Sequence, residues 1–332
     1  MKVGVLAPRI YSHGGVSRVI LEIIKELETN ENLSFEILTT RIKGDWSEQV
    51  ESKIIKHSPL PYPELAYFRP DIKRKLSDYD LLWNHNIYLN KLASKTDTPF
   101  ISTFHPPHTT FSGFLGGYSS KRNFDLYLNK KGTRYLSFPD RVVGISNYMK
   151  DRLSEHYNAN AVRIYHGGDL TGADFSDKDK EFALSIQAHN AVARDANRIH
   201  IKAVGNPDHP NINSLGSLSD QELVKNYKRC SFIVSGSFRE GFGMSPVEAA
   251  FCGKPSVVRS IGGHKETVVH GETGFLAENS KEFHEYINLL WQDKKLREEM
   301  GRNAYEHVKD KFTWERAAKE YLEEFNDLKS HR

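Results

Sequence analysis

Residues 232 to 248 read Phe232-Ile233-Val234-Ser235-Gly236-Ser237-Phe238-Arg239-Glu240-Gly241-Phe242-Gly243-Met244-Ser245-Pro246-Val247-Glu248. An apolar strand runs into a glycine-containing turn, and Pro246 stands where a helix takes its first residue, because a missing N–H costs nothing there. Amides at such a turn and helix start point outward and attract anions. Two carboxylates flank this cradle, Glu240 at its mouth and Glu248 in the first helical turn. A carboxylate repels phosphate, so both are assigned to neutral hydroxyls, from which a carboxylate accepts strong hydrogen bonds. A purely structural account also fits: an acid placed on the helix macrodipole and glycines serving a tight turn.

The same alternation of short apolar runs and amphipathic stretches extends outward on both sides, which is the pattern of βαβ units and parallel sheets. Before the linker, strands are expected at Lys2 to Ala7, Phe35 to Thr39, Tyr79 to Trp83, Phe100 to Phe104, Arg141 to Ile145 and Val162 to Tyr165. Val19, Ile20, Ile23, Ile24 and Leu27 mark one face of a helix, and Tyr148 to Tyr157 reads as another. Residues 166 to 180 are polar and glycine-containing and read as an interdomain linker. Beyond it, strands are expected at Phe182 to Ile186, Ile199 to Val204, Phe232 to Ser235 and Pro255 to Val258, with helices near Asp220 to Lys228 and Pro246 to Phe251. Three amphipathic helices follow from Lys281, the last capped by Thr313. The expected domains are 1–165, 166–312 and a terminal helix, 313–332.

At 332 residues the chain exceeds a comfortable single domain, and 38% apolar with 27% charged residues suits a globular protein. No run of 18 apolar residues occurs, so no spanning helix is expected. The start, Met1 to Pro8, reads as a buried strand and not as a secretory leader. Two cysteines, Cys230 and Cys252, each lie in apolar surroundings; they suit small buried hydrophobes in a reducing, cytoplasmic setting. The net charge is +3, but residues 1–165 hold 23 Lys/Arg against 17 Asp/Glu. That excess is too small and scattered for a nucleic-acid partner, yet it suits peripheral contact with an anionic membrane face.

On these residues the chain resembles the retaining nucleotide-sugar glycosyltransferases of family 4, group 1. The E-x7-E pattern Glu240 to Glu248 matches, followed by Ala249-Ala250-Phe251-Cys252-Gly253-Lys254-Pro255, Gly262-Gly263 with Glu266-Thr267-Val268, Gly271 to Leu276, and Phe312-Thr313-Trp314. The N-terminal half matches in order but more thinly: Gly14-Gly15, His105 after Ile101 to Phe104, Val143 to Ser146, and His166-Gly167-Gly168-Asp169. The resemblance implies an α/β chain of the GT-B fold, two facing Rossmann-like domains with a cleft between them. The donor would be held by the C-terminal domain and the acceptor by the N-terminal one, and the final helix, 313–332, would cross back onto the N-terminal domain. It implies a metal-independent, cofactor-free hexosyltransferase that moves sugar from a nucleotide diphosphate sugar, a UDP-sugar foremost, to a glycan or lipid-linked acceptor in polysaccharide or lipopolysaccharide assembly. Carried over by position, Glu240 lies at the donor sugar, Glu248 holds ribose hydroxyls, His105 bonds the sugar and Gly15 lets backbone approach the diphosphate. Gly241, Phe242, Gly243, Met244 and Ser245 complete the donor cradle.

The family's Arg/Lys diphosphate loop is absent, however, and residues 182–198 run without its Lys-Gly. Arg194 is the first candidate to replace it, with Arg198, Lys202, Arg9 and Arg18 behind. The missing loop leaves open a noncatalytic sugar- or partner-binding relative. An NAD-linked enzyme is disfavoured, because Gly14-Gly15 lacks the G-x-G-x-x-G spacing. His105-Pro-Pro-His108 has no third ligand for a metal, and Asp177-Lys-Asp179 reads as a solvated charge run. His85 is expected to cap a strand. The uncharged stretch 106–120, with Phe111, Phe114, Leu115 and Tyr118, fits either a sugar- or lipid-touching loop or packing within its domain.

Overall fold

The computed structural model describes residues 1–7, 9–11, 15–39, 41–43, 54–56, 70–105, 133–176, 182–187 and 189–330. The chain divides into two compact units, Met1–Ile164 together with Ala318–Arg332, and Tyr165–Ala317.

In the first unit, strands β1 (Lys2–Leu6), β3 (Ser34–Thr39), β5 (Ile54–Lys56), β6 (Leu81–Asn84), β7 (Phe100–Phe104), β8 (Arg141–Gly144) and β9 (Ala161–Arg163) form a parallel sheet in the order β5-β3-β1-β6-β7-β8-β9. A small parallel pair joins β2 (Arg9–Tyr11) to β4 (Arg41–Lys43). The helices are α1 (Gly15–Leu27), α2 (Pro70–Leu76), α3 (Asn90–Ala93), α4 (Thr133–Leu136) and α5 (Asn147–Tyr157). Helix α1 buries Val19, Ile20, Ile23, Ile24 and Leu27, the face its period predicts. Strand order reverses between β1 and β6, so the carboxyl ends of these strands form the point where open α/β sheets place ligands.

The second unit repeats the scheme. Strands β10 (Ala183–Gln187), β11 (Ile201–Ala203), β12 (Ile212–Ser214), β13 (Phe232–Ser235), β14 (Ser256–Arg259) and β15 (Gly274–Ala277) pair in the order β12-β11-β10-β13-β14-β15, all parallel. Helices α6 (Asp220–Arg229), α7 (Met244–Phe251), α8 (His264–Thr267), α9 (Ser280–Gln292), α10 (Lys294–Val308) and α11 (Trp314–Ser330) surround them. Side chains alternate across β13: Phe232 and Val234 join a cluster with Phe283, Ile287 and Met300, while Ile233 joins Tyr227, Ala249 and Cys252 on the opposite face. A sheet covered on both sides accounts for the continuous apolar runs. Here too the order reverses, between β10 and β13.

Residues 166–176 are not a loose connection. His166, Gly167, Gly168 and Leu170 are buried. Gly168 N–H donates to Phe312 O at 2.9 Å, and Asp169 Oδ1 accepts from Trp314 N–H at 2.8 Å. Glycine is what permits this path, since a Cβ on Gly167 would strike the Trp314 indole. Asp177 and Asp179 lie outside the described residues. The strand expected at Val162 to Tyr165 ends at Arg163, because Tyr165 instead turns its hydroxyl to Glu266 Oε2 at 2.8 Å.

Helix α11 starts in the second unit, where Thr313 Oγ1 accepts from Arg316 N–H at 3.2 Å, and from Ala318 onward its residues belong to the first. There Tyr321 and Phe325 are fully buried against Trp83, at centroid distances of 4.9 and 5.7 Å. A buried chain of hydrogen bonds fastens them: Trp83 Nε1–H donates to Thr103 Oγ1, which pairs with Tyr321 OH, both at 2.9 Å. Arg141 adds Glu324 at 2.8 Å and Asp327 at 2.6 Å. Among the described residues no helix is long and apolar enough to cross a membrane.

Candidate functional site

The β13–α7 turn leaves the sheet at its reversal point, and its shape depends on two glycines. Gly243 caps α7 with φ 100°, a left-handed conformation that L side chains rarely adopt. Gly263, just before α8, fits flat against the backbone of Gly241 and Phe242. Gly263 N–H donates to Glu240 O at 3.2 Å, so the loop before α8 clamps the turn. Helix α7 begins at Met244, two residues earlier than expected. Pro246 therefore sits inside the first turn, where its absent N–H still leaves no helical acceptor unpaired.

The Glu240 carboxylate accepts from Gly243 N–H through Oε1 at 3.2 Å, and its Oε2 lies 3.9 Å from His264 Nε2. Its side chain is 13% exposed, inside the protein but reachable. His264 is fully buried, with Nδ1 3.0 Å from Arg259 O. Burial pushes its pKa below the usual imidazole value, against the opposing pull of Glu240 and the Arg259 carbonyl. Arg259 ends β14 beside the turn. It donates from Nε to Gly236 O at 3.1 Å and lies 4.1 Å from the ring centroid of Phe238, which is 71% exposed.

Glu248 lies deeper. It is 3% exposed and accepts from the buried Tyr227 hydroxyl at 2.8 Å. Tyr227→Phe would leave Glu248 Oε2 without that donor in a dry setting. The expected cost is about 1–3 kcal/mol of unfolding free energy, read by denaturant titration. Phe242 is also buried, its ring against Phe312 at 5.5 Å and Tyr165 at 5.8 Å, so it supports the turn from beneath. Met244 and Ser245 are half-buried, and their first-turn N–H groups have no acceptor within the helix.

Arg194 is exposed and precedes a short 3-10 turn, Asp195–Asn197, on the loop that follows β10. That loop leaves the same sheet edge as the Glu240 turn, since Gly236 N–H donates to Gln187 O at 3.2 Å. Asp195 anchors it through His284 at 2.7 Å. Lys202 is occupied elsewhere, 4.2 Å over the Phe182 ring. Both cysteines are buried, and burial pushes the Cys252 thiol up to about 12.

In the first unit, His105 follows β7 and His85 follows β6, at the edge where the strand order turns. Their Nε2 and Nδ1 atoms lie 3.0 Å apart, the rings stack at 5.3 Å, and Trp83 sits edge-on to His85 at 4.4 Å. His85 is therefore a partner of His105. Gly15 opens α1, and none of the described residues beyond its chain neighbours lies within 4 Å of where its Cβ would be. His108 and residues 106–120 lie outside the described residues. The turn thus gathers Glu240, Gly241 to Ser245 and Glu248, with Arg194 on the neighbouring loop; His105 and Gly15 belong to the other unit.

Residues 199–307 match the family model for glycosyl transferases group 1, and residues 13–171 match that for glycosyltransferase family 4. The chain is a family 4, group 1 glycosyltransferase. This transferase is 27% identical over 371 residues to an uncharacterized glycosyltransferase of Methanocaldococcus jannaschii, covering 97% of this chain and 99% of the relative. It is 34% identical over 185 residues to the capsular polysaccharide biosynthesis glycosyltransferase CapM of Staphylococcus aureus, covering 51% and 46%. Among solved structures it is similar to Anabaena HepE in complex with UDP, with a TM-score of 0.77, 17% identity and 98% and 100% coverage. The transferase has the GT-B fold, built from two Rossmann-like units.

Three residues of this region were not singled out from sequence. Tyr227 and Arg259 left no signal beyond lying on a helix and at a strand end; His264 directly follows the Gly262-Gly263 pair that was noted.

Proposed function

We propose that this glycosyltransferase moves a sugar, with retention of anomeric configuration and without a metal, from a nucleotide diphosphate sugar to a glycan or glycolipid acceptor in polysaccharide or lipopolysaccharide assembly. A UDP-sugar is the first choice of donor. The observation that carries the reading is the β13–α7 turn, where a half-buried carboxylate and unshared helix-start amides stand together at a sheet reversal point. The donor sugar's hydroxyls would donate to Glu240 and the ribose hydroxyls to Glu248. Departing diphosphate charge would be met by the Met244 and Ser245 amides and by Arg194. A leaving phosphate oxygen would take the acceptor's proton as the new glycosidic bond forms on the same face. His105, aligned by His85, would hold a sugar hydroxyl. The similarity to HepE solved with UDP and to CapM supports the nucleotide and polysaccharide parts of this reading. The basic N-terminal half supports peripheral contact with the inner face of a membrane.

The test is nucleotide release from UDP-, GDP- and ADP-sugars with a mixed glycan and lipid-linked acceptor pool. Turnover with one nucleotide class is expected; binding without release would mark a noncatalytic relative. Gly15→Ala sharpens the donor assignment. The added methyl meets no atom of the described residues beyond its chain neighbours, so melting should be unchanged or slightly raised. Donor KM should rise by about tenfold or more if backbone approaches the diphosphate there, and an unchanged KM would remove Gly15 from the site.

A further inference from the structure

His264 stands in an unusual relation to Glu240. Its Nδ1 faces only a carbonyl oxygen, Arg259 O at 3.0 Å, and a carbonyl accepts but never donates. Nδ1 must therefore carry the ring proton. In the neutral imidazole Nε2 is then a bare lone pair, fully buried and, among the described residues, without a hydrogen-bond partner, 3.9 Å from Glu240 Oε2. Two acceptors face one another. Glu240 Oε1 is satisfied by Gly243 N–H at 3.2 Å, while Oε2 accepts from none of the described residues. The wall between them is tight, for a Cβ on Gly243 would lie 2.9 Å from His264 Cδ2.

We propose that His264 is the positioning residue for Glu240: its neutral ring backs the carboxylate with a lone pair, leaving Oε2 without a donor among the described residues and open to a ligand hydroxyl. This rests on the donor-site reading of Glu240. A proton added at Nε2 converts the facing acceptors into a donor and an acceptor. The imidazolium then competes with the ligand for Oε2, and the pair takes up that proton as one unit. The other groups around the ring do not substitute for Glu240. Arg259, from the end of β14, presents its carbonyl; Glu248, from α7, is bonded to Tyr227; and Glu266, on α8 itself, is bonded to Tyr165, beside exposed Lys265. Burial keeps the ring neutral at pH 7 and places its protonation on the acid side of the ordinary histidine value.

Two measurements test this. The first is kcat/KM against pH, with whichever of UDP-, GDP- or ADP-glucose is turned over, for the wild type and His264→Asn. Asparagine keeps an N–H for Arg259 O and cannot titrate. Each profile is scaled to its own plateau. The wild type is expected to fall about tenfold per pH unit below its acid limb, with a limb absent or displaced to lower pH in the variant. The second follows ring nitrogens in histidine-labelled protein by NMR, with the His264 signals assigned by their loss in His264→Asn. Nε2 should be unprotonated at pH 7.5, and its titration should move to lower pH in Glu240→Gln, because the carboxylate that favours the charged ring is gone. Coincident acid limbs, a proton on Nε2 at pH 7.5, or a titration indifferent to Glu240→Gln would each overturn the proposal. A wild-type chain inert toward all three donors counts against the donor-site reading, and the ring measurement still decides the pairing.

Discussion

Glu240→Ala is expected to lower sugar transfer by about a hundredfold to a thousandfold while circular dichroism and melting stay close to wild type. The size follows from the loss of one or two charge-assisted hydrogen bonds, about 1.5–3 kcal/mol each, at the donor sugar. Stability should hold because the side chain is partly solvated and, among the described residues, is hydrogen-bonded only by Gly243 N–H, at 3.2 Å. The kinetic split separates the two carboxylates. Bonds that strengthen as the glycosidic bond breaks are lost from kcat, so Glu240→Ala should act mainly there, whereas Glu248→Ala should raise donor KM. Donor turnover by Glu240→Ala within a fewfold of wild type would show that the carboxylate does not grip the sugar.

Gly263→Ala is expected to have the larger effect on stability. Its Cβ would sit 2.5 Å from Gly241 O and closer still to Phe242 Cα, and those are backbone atoms in the middle of the Glu240 turn. No rotamer relieves such an overlap. Either the loop before α8 withdraws, releasing the Gly263 N–H to Glu240 O bond, or the turn shifts. A cost of about 3 kcal/mol follows, seen as a melting midpoint about 6–12 °C lower. Activity should be lost more steeply than stability, because the displaced element carries Glu240. A soluble, well-folded variant with full activity would show that the clamp is dispensable.

Much of this architecture was legible in the residues because buried parallel strands announce themselves. Leu81 to Trp83 and Phe232 to Val234 are continuous apolar runs, fully buried, and became interior strands of their sheets. The E-x7-E turn was legible for a different reason, since glycine and proline there answer to backbone geometry. Elements with little side-chain content were missed. Ile212-Asn213-Ser214 has one apolar residue and is a sheet-edge strand held by its backbone pairing with β11. Gly274 to Ala277 was noted only as a motif although it pairs with β14. The segment after Tyr165 looked like a linker because it is rich in glycine and aspartate, yet two of them serve packing: Gly168 N–H reaches Phe312 and the Asp169 carboxylate caps Trp314. The pairings of Tyr227 with Glu248 and of His264 with Glu240 join residues from separate elements, and no local period encodes them.

The route of α11 bears on how the chain matures during synthesis. Residues Tyr165–Ala317 form one uninterrupted unit, whereas the other unit draws on both ends of the chain. Trp83 and Thr103 leave the ribosome long before Tyr321 and Phe325, the side chains that cover them. The usual order, in which the N-terminal domain finishes folding first, is therefore unavailable. The earlier-made sheet waits with an uncovered indole until residues 321 to 325 have been made, and a nascent chain stalled before residue 318 would be a natural client for a chaperone.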